Sequence, residues 1–147
     1  MFATLLKRLI QPTAGHPLPD ADARLALAAL LVRIARADGD YAPEEVHRID
    51  RILMSRYGLS PHAAIALRKE AEVLESEAPD TVRFTRAIKN AVPYEERVGV
   101  IEALWQVALA DGARDEAENA LLRMVSGMLG VSDQDSALAR QRMQGYA

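Results

Sequence analysis

Residues 27–49 read LAALLVRIARADGDYAPEEVHRI, and residues 100–122 read VIEALWQVALADGARDEAENALL. The two stretches align without a gap, and polar positions repeat together with apolar ones. The identical positions are Leu31, Ala35, Ala37, Asp38, Gly39 and Glu45 in the first stretch and Leu104, Ala108, Ala110, Asp111, Gly112 and Glu118 in the second. One helix–loop–helix unit is therefore used twice in the chain, and its polar corner is repeated with it.

Helical spacing of apolar residues runs along the whole chain between clear turn signals. The starts of helices are predicted at Asp20 or Asp22, Pro43, Ser60, Asp80 or Thr81, Pro93, Asp115 and Ser132. Glycines are predicted to end helices at Gly39, Gly58, Gly112 and Gly130. No alternating strand pattern occurs, and half of the residues are apolar while only 5% are aromatic, which suits closely packed helices. The sequence predicts an all-α fold, a compact bundle of seven to eight short helices. It is built from two related helix–loop–helix repeats near residues 20–60 and 93–132, packed with approximate twofold symmetry.

The chain of 147 residues is long enough for one domain with its own hydrophobic core. Residues 1–19 are predicted to form a short amphipathic helix followed by a linker rich in proline and glycine, and residues 20–147 form the globular domain. No stretch approaches the roughly 18 apolar residues of a membrane span, so a cytoplasmic protein is expected. Peripheral membrane association through the first helix, or its docking onto the domain or a partner, are both compatible with the sequence.

Composition excludes several classes of function. The net charge of −3 argues against nucleic acid as the main partner. The absence of cysteine excludes a disulfide framework, a thiolate nucleophile and a cysteine zinc site. Because no glycine-rich phosphate loop, serine nucleophile elbow or His-Glu metalloprotease motif occurs, no catalytic or cofactor-binding residues are predicted.

The repeated corners are acidic, and two interpretations apply. Crowded carboxylates beside a flexible glycine suit a hard cation, which predicts a weak Ca²⁺ or Mg²⁺ site formed by Asp38, Glu45, Asp111 and Glu118. The spacing is not that of an EF-hand. Asp38 and Asp111 are predicted in the last turn of a helix, where a carboxylate faces the negative end of the helix dipole.

The second interpretation is structural, and the sequence favours it over metal binding. Each aspartate would accept hydrogen bonds from the free N–H groups of the next helix and so close a tight corner. Glu118 falls at the third helical position after Asp115, where a capping box places a glutamate. Glu45 occupies the same position, but Ala42 has no side chain for the reciprocal bond.

The paired corners, within ARADGDYAPEEVHRI and LWQVALADGARDEAENALL, resemble the TerB-like family of tellurite-resistance proteins over about residues 20–145. The resemblance implies an all-helical fold of two related bundles with acidic residues near the corners. It also implies a bacterial cytoplasmic protein linked to tellurite or general stress response, in a family that is not known as a class of enzymes. Members are suspected of metal binding or of scaffolding at the inner face of the membrane. The chain departs from the family pattern at Ala42 and Ala113.

The leading prediction of function is therefore a non-enzymatic TerB-like interaction module for stress response or tellurite resistance, with protein partners. A metal-dependent hydrolase that uses the paired carboxylates is the alternative. Against that alternative stands the absence of a recognisable nucleophile, general base or cofactor loop in the sequence.

Overall fold

The computed structural model describes residues 20–37, 39, 41–77, 82–109 and 116–144, and the predicted first helix and linker at residues 1–19 lie outside them. These residues form helices and no strands, so the predicted all-α fold is confirmed. The helices are α1 (Asp20–Arg36), α2 (Pro43–Tyr57), α3 (Pro61–Glu77), α4 (Val82–Ala91), α5 (Tyr94–Ala108), α6 (Glu116–Met128) and α7 (Asp133–Gln144). Within the described ranges no helix is long and apolar enough to cross a membrane.

The ends of the helices follow local signals in the sequence. Gly58 ends α2 in the left-handed conformation (φ 64°, ψ 34°), where a residue without Cβ is least strained. Gly130, which matches Gly58 after a slip of one residue beyond the gapless alignment, also has a positive φ, 74°. Two residues after each glycine, the side chains of Ser60 and Ser132 accept hydrogen bonds from the amide three residues later, at 3.2 and 3.1 Å. These serines therefore cap the starts of α3 and α7, as predicted.

Helix α1 lies at the centre of the molecule. Its residues 25–32 are all buried, so this segment is apolar on every side. A helix without a polar face is stable only when other elements surround it. Accordingly α1 packs against α2, α3, α4, α5 and α6.

The two repeats share one order of packing. In the first, α1 contacts both α2 and α3, and in the second α5 contacts both α6 and α7. Equivalent arginines support the end of the second helix in each: Arg24 lies over the ring of Tyr57, at 4.7 Å from its centroid, and Nη1 of Arg97 donates to the carbonyl of Leu129 at 2.9 Å. The approximate twofold symmetry of the repeats stays a prediction.

A small polar cluster lies inside the second repeat. Trp105 is buried, as its helical phase predicts, and its indole N–H donates to Oγ of Ser136 at 3.4 Å. The hydroxyls of Ser136 and Ser126 lie 3.1 Å apart, and Ser126 also donates to the carbonyl of Leu122 at 2.8 Å. Each buried polar group therefore has a partner, so the cluster does not cost the core an unsatisfied hydrogen bond.

Candidate functional site

The first repeated corner comprises residues 37–42, between α1 and α2. The amide of Ala37 donates to the carbonyl of Ile34 at 3.2 Å, and that of Gly39 to the carbonyl of Arg36 at 3.0 Å. Gly39 has a φ of 82°, so the chain turns at the predicted glycine. Helix α1 ends at Arg36, and Asp38 lies outside the described residues, so its predicted position in the last helical turn stays a prediction.

At the second corner, helix α5 ends at Ala108, and Asp111 lies outside the described residues. The predicted position of Asp111 in the last turn of its helix therefore stays a prediction as well.

Glu45 closes the first corner. Its side chain is fully buried near the start of α2, and its Oε1 accepts a hydrogen bond from the amide of Ala42 at 3.1 Å. This is one half of a capping box, because Ala42 has no hydroxyl to return the bond. The contact holds the carboxylate of Glu45 in place beside the corner.

The other predicted ligands cannot be placed relative to Glu45. Asp38 and Asp111 lie outside the described residues, and Glu118 falls within α6 although its side chain is not described. In the part of the chain that is described, no three histidine, aspartate or glutamate side chains are grouped so that they could hold a metal ion. The metal site formed by the four predicted residues stays a prediction.

Beside the first corner, the end of α1 is tied to α3 by a carboxylate between two arginines. Oε2 of Glu75 accepts from Nε of Arg33 at 3.1 Å, and its Oε1 accepts from Nη1 of Arg36 at 2.8 Å. Nη2 of Arg33 also donates to the backbone carbonyl of Glu75, at 3.1 Å. The side chain of Glu75 is only 12% exposed, so water screens these contacts less than those of a surface pair.

A second set of contacts joins the corner itself to α3 and α2. The hydroxyl of Tyr41 donates to Oε2 of Glu72 at 2.8 Å, and Nη1 of Arg68 donates to the same oxygen at 3.0 Å. Nε of Arg68 donates to Oδ1 of Asp50 at 2.6 Å. We call this group of side chains the corner network. Its members are Arg33, Arg36, Tyr41, Asp50, Arg68, Glu72 and Glu75.

The corner network shifts the acidity of its members. Burial raises the pKa of Tyr41, and the hydrogen bond to Glu72 and the negative charge of Glu72 raise it further, against a smaller opposing effect of Arg68 and Arg36. Burial alone would lower the pKa of Arg68, but its hydrogen bonds to Asp50 and Glu72 outweigh that effect and raise it. Tyr41 therefore remains a hydrogen-bond donor and Arg68 remains a cation.

The sequence analysis missed the corner network although it identified the corner. Tyr41 and Glu72 are separated by 31 residues, and Arg33 and Glu75 by 42, so no local pattern joins them. The available signal was the placement of Arg68, Glu72 and Glu75, which lie one and two turns apart on a single face of α3. A charged face on a helix that packs against an apolar α1 indicates ion pairs at the edge of the contact.

Comparison with known proteins agrees with this architecture. A family model described as tellurite resistance protein TerB matches residues 24–141, from the first turns of α1 into α7. No curated protein and no solved structure gives a match. The match covers most of the chain and both repeated corners, and it confirms the resemblance found in the sequence. The chain belongs to the TerB family of tellurite resistance proteins.

Proposed function

We propose that this chain is a non-enzymatic interaction module of the cytoplasm that acts in tellurite resistance or general stress response through protein partners. Support comes from the family match and, above all, from the construction of the first corner. The carboxylates of the corner network, Asp50, Glu72 and Glu75, are each paired with an arginine. Carboxylates held in this way fix the geometry of the helices at the corner, which is a structural role and not a chemical one.

The alternative, a metal-dependent hydrolase, requires carboxylates that are poised to exchange protons or to hold a reactive metal-bound water. The predicted hydrolase uses the corner carboxylates of Asp38 and Asp111, and the described carboxylates beside the first corner, Glu72 and Glu75, serve neither purpose without first breaking their ion pairs. A screen for hydrolysis with Mg²⁺ or Mn²⁺ distinguishes the two functions. Activity that is lost on Asp38→Asn and Asp111→Asn would establish the hydrolase instead.

Growth of the native host tests the interaction module. We expect that deletion of the gene lowers tolerance to tellurite, and that the wild-type chain restores it. The double variant Asp38→Asn, Asp111→Asn should restore tolerance less well, because it removes the charge of the repeated aspartate at both corners. Glu77→Gln is the matched control, since it removes an exposed carboxylate at the end of α3 that belongs neither to the repeated corners nor to the corner network. Unchanged tolerance after deletion would contradict the link to tellurite.

The finer part of the proposal is a weak divalent-cation site at the acidic corners, with Asp38, Glu45, Asp111 and Glu118 as its ligands. The repetition of the ADG sequence and the fixed position of Glu45 beside the corner support it. A ligand that binds only the folded chain must raise the melting temperature as its concentration rises. We therefore expect heat in a calorimetric titration with millimolar Ca²⁺, Mg²⁺ or Mn²⁺, and a rising melting temperature.

The same variants provide the control for the cation site. Asp38→Asn with Asp111→Asn should abolish the heat, whereas Glu77→Gln should leave it unchanged. Absence of heat and of any melting shift in the wild-type chain would leave the corners as helix locks alone. In that case Asp38→Asn or Asp111→Asn should be well tolerated. Asp38→Ala or Asp111→Ala should lower the free energy of unfolding by about 1 kcal/mol, because the hydrogen bonds are lost.

A further inference from the structure

A second site of interest lies away from the corners, in a groove of about 570 Å³ between α2 and α5. The α2 side is formed by one helical face that carries three arginines, Arg48, Arg51 and Arg56. Met143 of α7 also lines the groove. Its size is within the usual range of small-molecule sites.

The groove is positively charged although the whole chain has a net charge of −3. Arg48 and Arg51 make no ion pair with any carboxylate among the described residues. The carboxylate in the lining, that of Glu102, accepts from Nε of Arg142 at 3.2 Å and is therefore already neutralised. The lining thus holds three guanidinium groups and one carboxylate, so an anion that entered the groove would meet a net positive charge.

The space for the guanidinium group of Arg56 depends on a glycine of α5. A Cβ atom added at Gly99 would lie 3.5 Å from Nη1 of Arg56, so the end of this arginine rests directly above the glycine. A larger side chain at this position would fill the groove and displace Arg56. Arg48 and Arg51 are one turn apart, and like charges at this spacing weaken a helix unless a counter-ion is bound.

The floor of the groove is apolar. Ile52, Ala103 and Met143 contribute to it, and each is less than a tenth exposed. A ligand with both an anionic group and a less polar body would therefore contact complementary surfaces. Guanidinium groups bind phosphate through paired, charge-assisted hydrogen bonds, which makes a phosphate the anion that fits best.

We propose that this groove binds a small organic phosphate of about the size of a mononucleotide, a ligand that the proposed interaction function does not require. The phosphate lies among Arg48, Arg51 and Arg56, and the body of the ligand lies against Ile52 and Met143. A long polyanion fits less well, because the rest of the chain is acidic and repels it.

Calorimetry of the full chain with adenosine monophosphate, inorganic phosphate and adenosine tests the proposal. Adenosine monophosphate should bind most tightly, inorganic phosphate more weakly, and adenosine without the phosphate should give no heat. Affinity for the monophosphate should fall as salt rises, because the contacts are between charges. Absence of binding at millimolar concentration, or equal binding of adenosine, would overturn the proposal.

Three variants locate the binding. Arg48→Gln with Arg51→Gln should weaken binding by roughly tenfold or more, since hydrogen bonds to a charged group are lost. Gly99→Leu keeps every charge but fills the groove, so it should also abolish binding. Arg86→Gln removes an exposed arginine of α4 outside the groove and should bind like the wild type. An equal loss in Arg86→Gln would show non-specific attraction and would overturn the site.

Folding and alternative ligands are checked in the same series. The melting temperature of Arg48→Gln with Arg51→Gln, measured without ligand, should not fall below that of the wild type, because these arginines make no ion pairs within the described residues and their mutual repulsion is removed. The increase in melting temperature on addition of adenosine monophosphate should be present in the wild type and in Arg86→Gln alone. Binding to phosphatidic-acid vesicles or to an acidic peptide, without binding of the monophosphate, would assign the groove to a different ligand and contradict the proposal.

Discussion

Tyr41 shows how a single side chain takes its chemistry from its surroundings. Its ring lies against the guanidinium of Arg36, 5.1 Å from the ring centroid, and its hydroxyl donates to the carboxylate of Glu72. Ionisation would remove the donated proton and place two negative charges side by side. The folded chain therefore resists ionisation of this residue, and its pKa is raised above the ordinary value of 10.0.

This raised pKa predicts how stability depends on pH. Below about pH 10 the tyrosine is protonated in both states and its contribution is fully present. Above that pH the unfolded chain loses the proton first, so the free energy of unfolding decreases as pH rises. In Tyr41→Phe the slope of the free energy of unfolding against pH should be less steep, by an amount that corresponds to at most one proton. Urea unfolding between about pH 9 and pH 11 measures it. Burial also raises the pKa of Tyr57. Because Tyr57 is present in the wild type and in Tyr41→Phe, its contribution cancels when the two slopes are compared. Parallel curves would contradict the prediction.

At the scale of the element, the end of α2 depends on the backbone conformation of one residue. Gly58 is left-handed, and no atom lies within 4 Å of the position that a Cβ would take. The cost of a side chain there is therefore conformational strain and not a clash. Gly127, in the last turn of α6, also has open space around the Cβ position, but its φ is not positive.

The two glycines give a matched pair of substitutions. Gly58→Ala should lower the free energy of unfolding by about 1 kcal/mol, because an L-residue is strained in the left-handed region. Gly127→Ala should raise it by about 0.5 kcal/mol, since alanine loses less entropy in a helix. Denaturant unfolding of both variants against the wild type is the measurement. If Gly58→Ala were neutral or stabilising, the left-handed end of α2 would not matter to stability.

The success of the sequence analysis at this scale has a physical explanation. Helix ends are decided by a few neighbouring residues, such as Pro43 at the start of α2 and Ser132 before α7, so they can be read locally. The corner network cannot be predicted from neighbouring residues, because Arg33 and Glu75 meet only after α1 and α3 have packed. Glu45 was correctly placed beside the corner, but its complete burial depends on packing that no spacing rule contains.

For the molecule as a whole, apolar periodicity determined the fold class, since every segment between turns had the period of a helix. The groove between α2 and α5 could not be found in this way. Its arginines look like an ordinary solvated face of α2, and only the position of α5, with Gly99 below Arg56, shows that they surround a concave surface. Function at this scale depends on which helix faces meet, and that requires the structure.

The central position of α1 has a consequence for the independence of the two repeats. Helices from both halves cover α1, so the first half alone would leave part of residues 25–32 exposed to water. The first half therefore cannot close its interior without the second, and unfolding of the second half should carry the first with it in a single cooperative step. Two stretches of similar sequence thus share one interior, and the first repeat is not a free-standing unit.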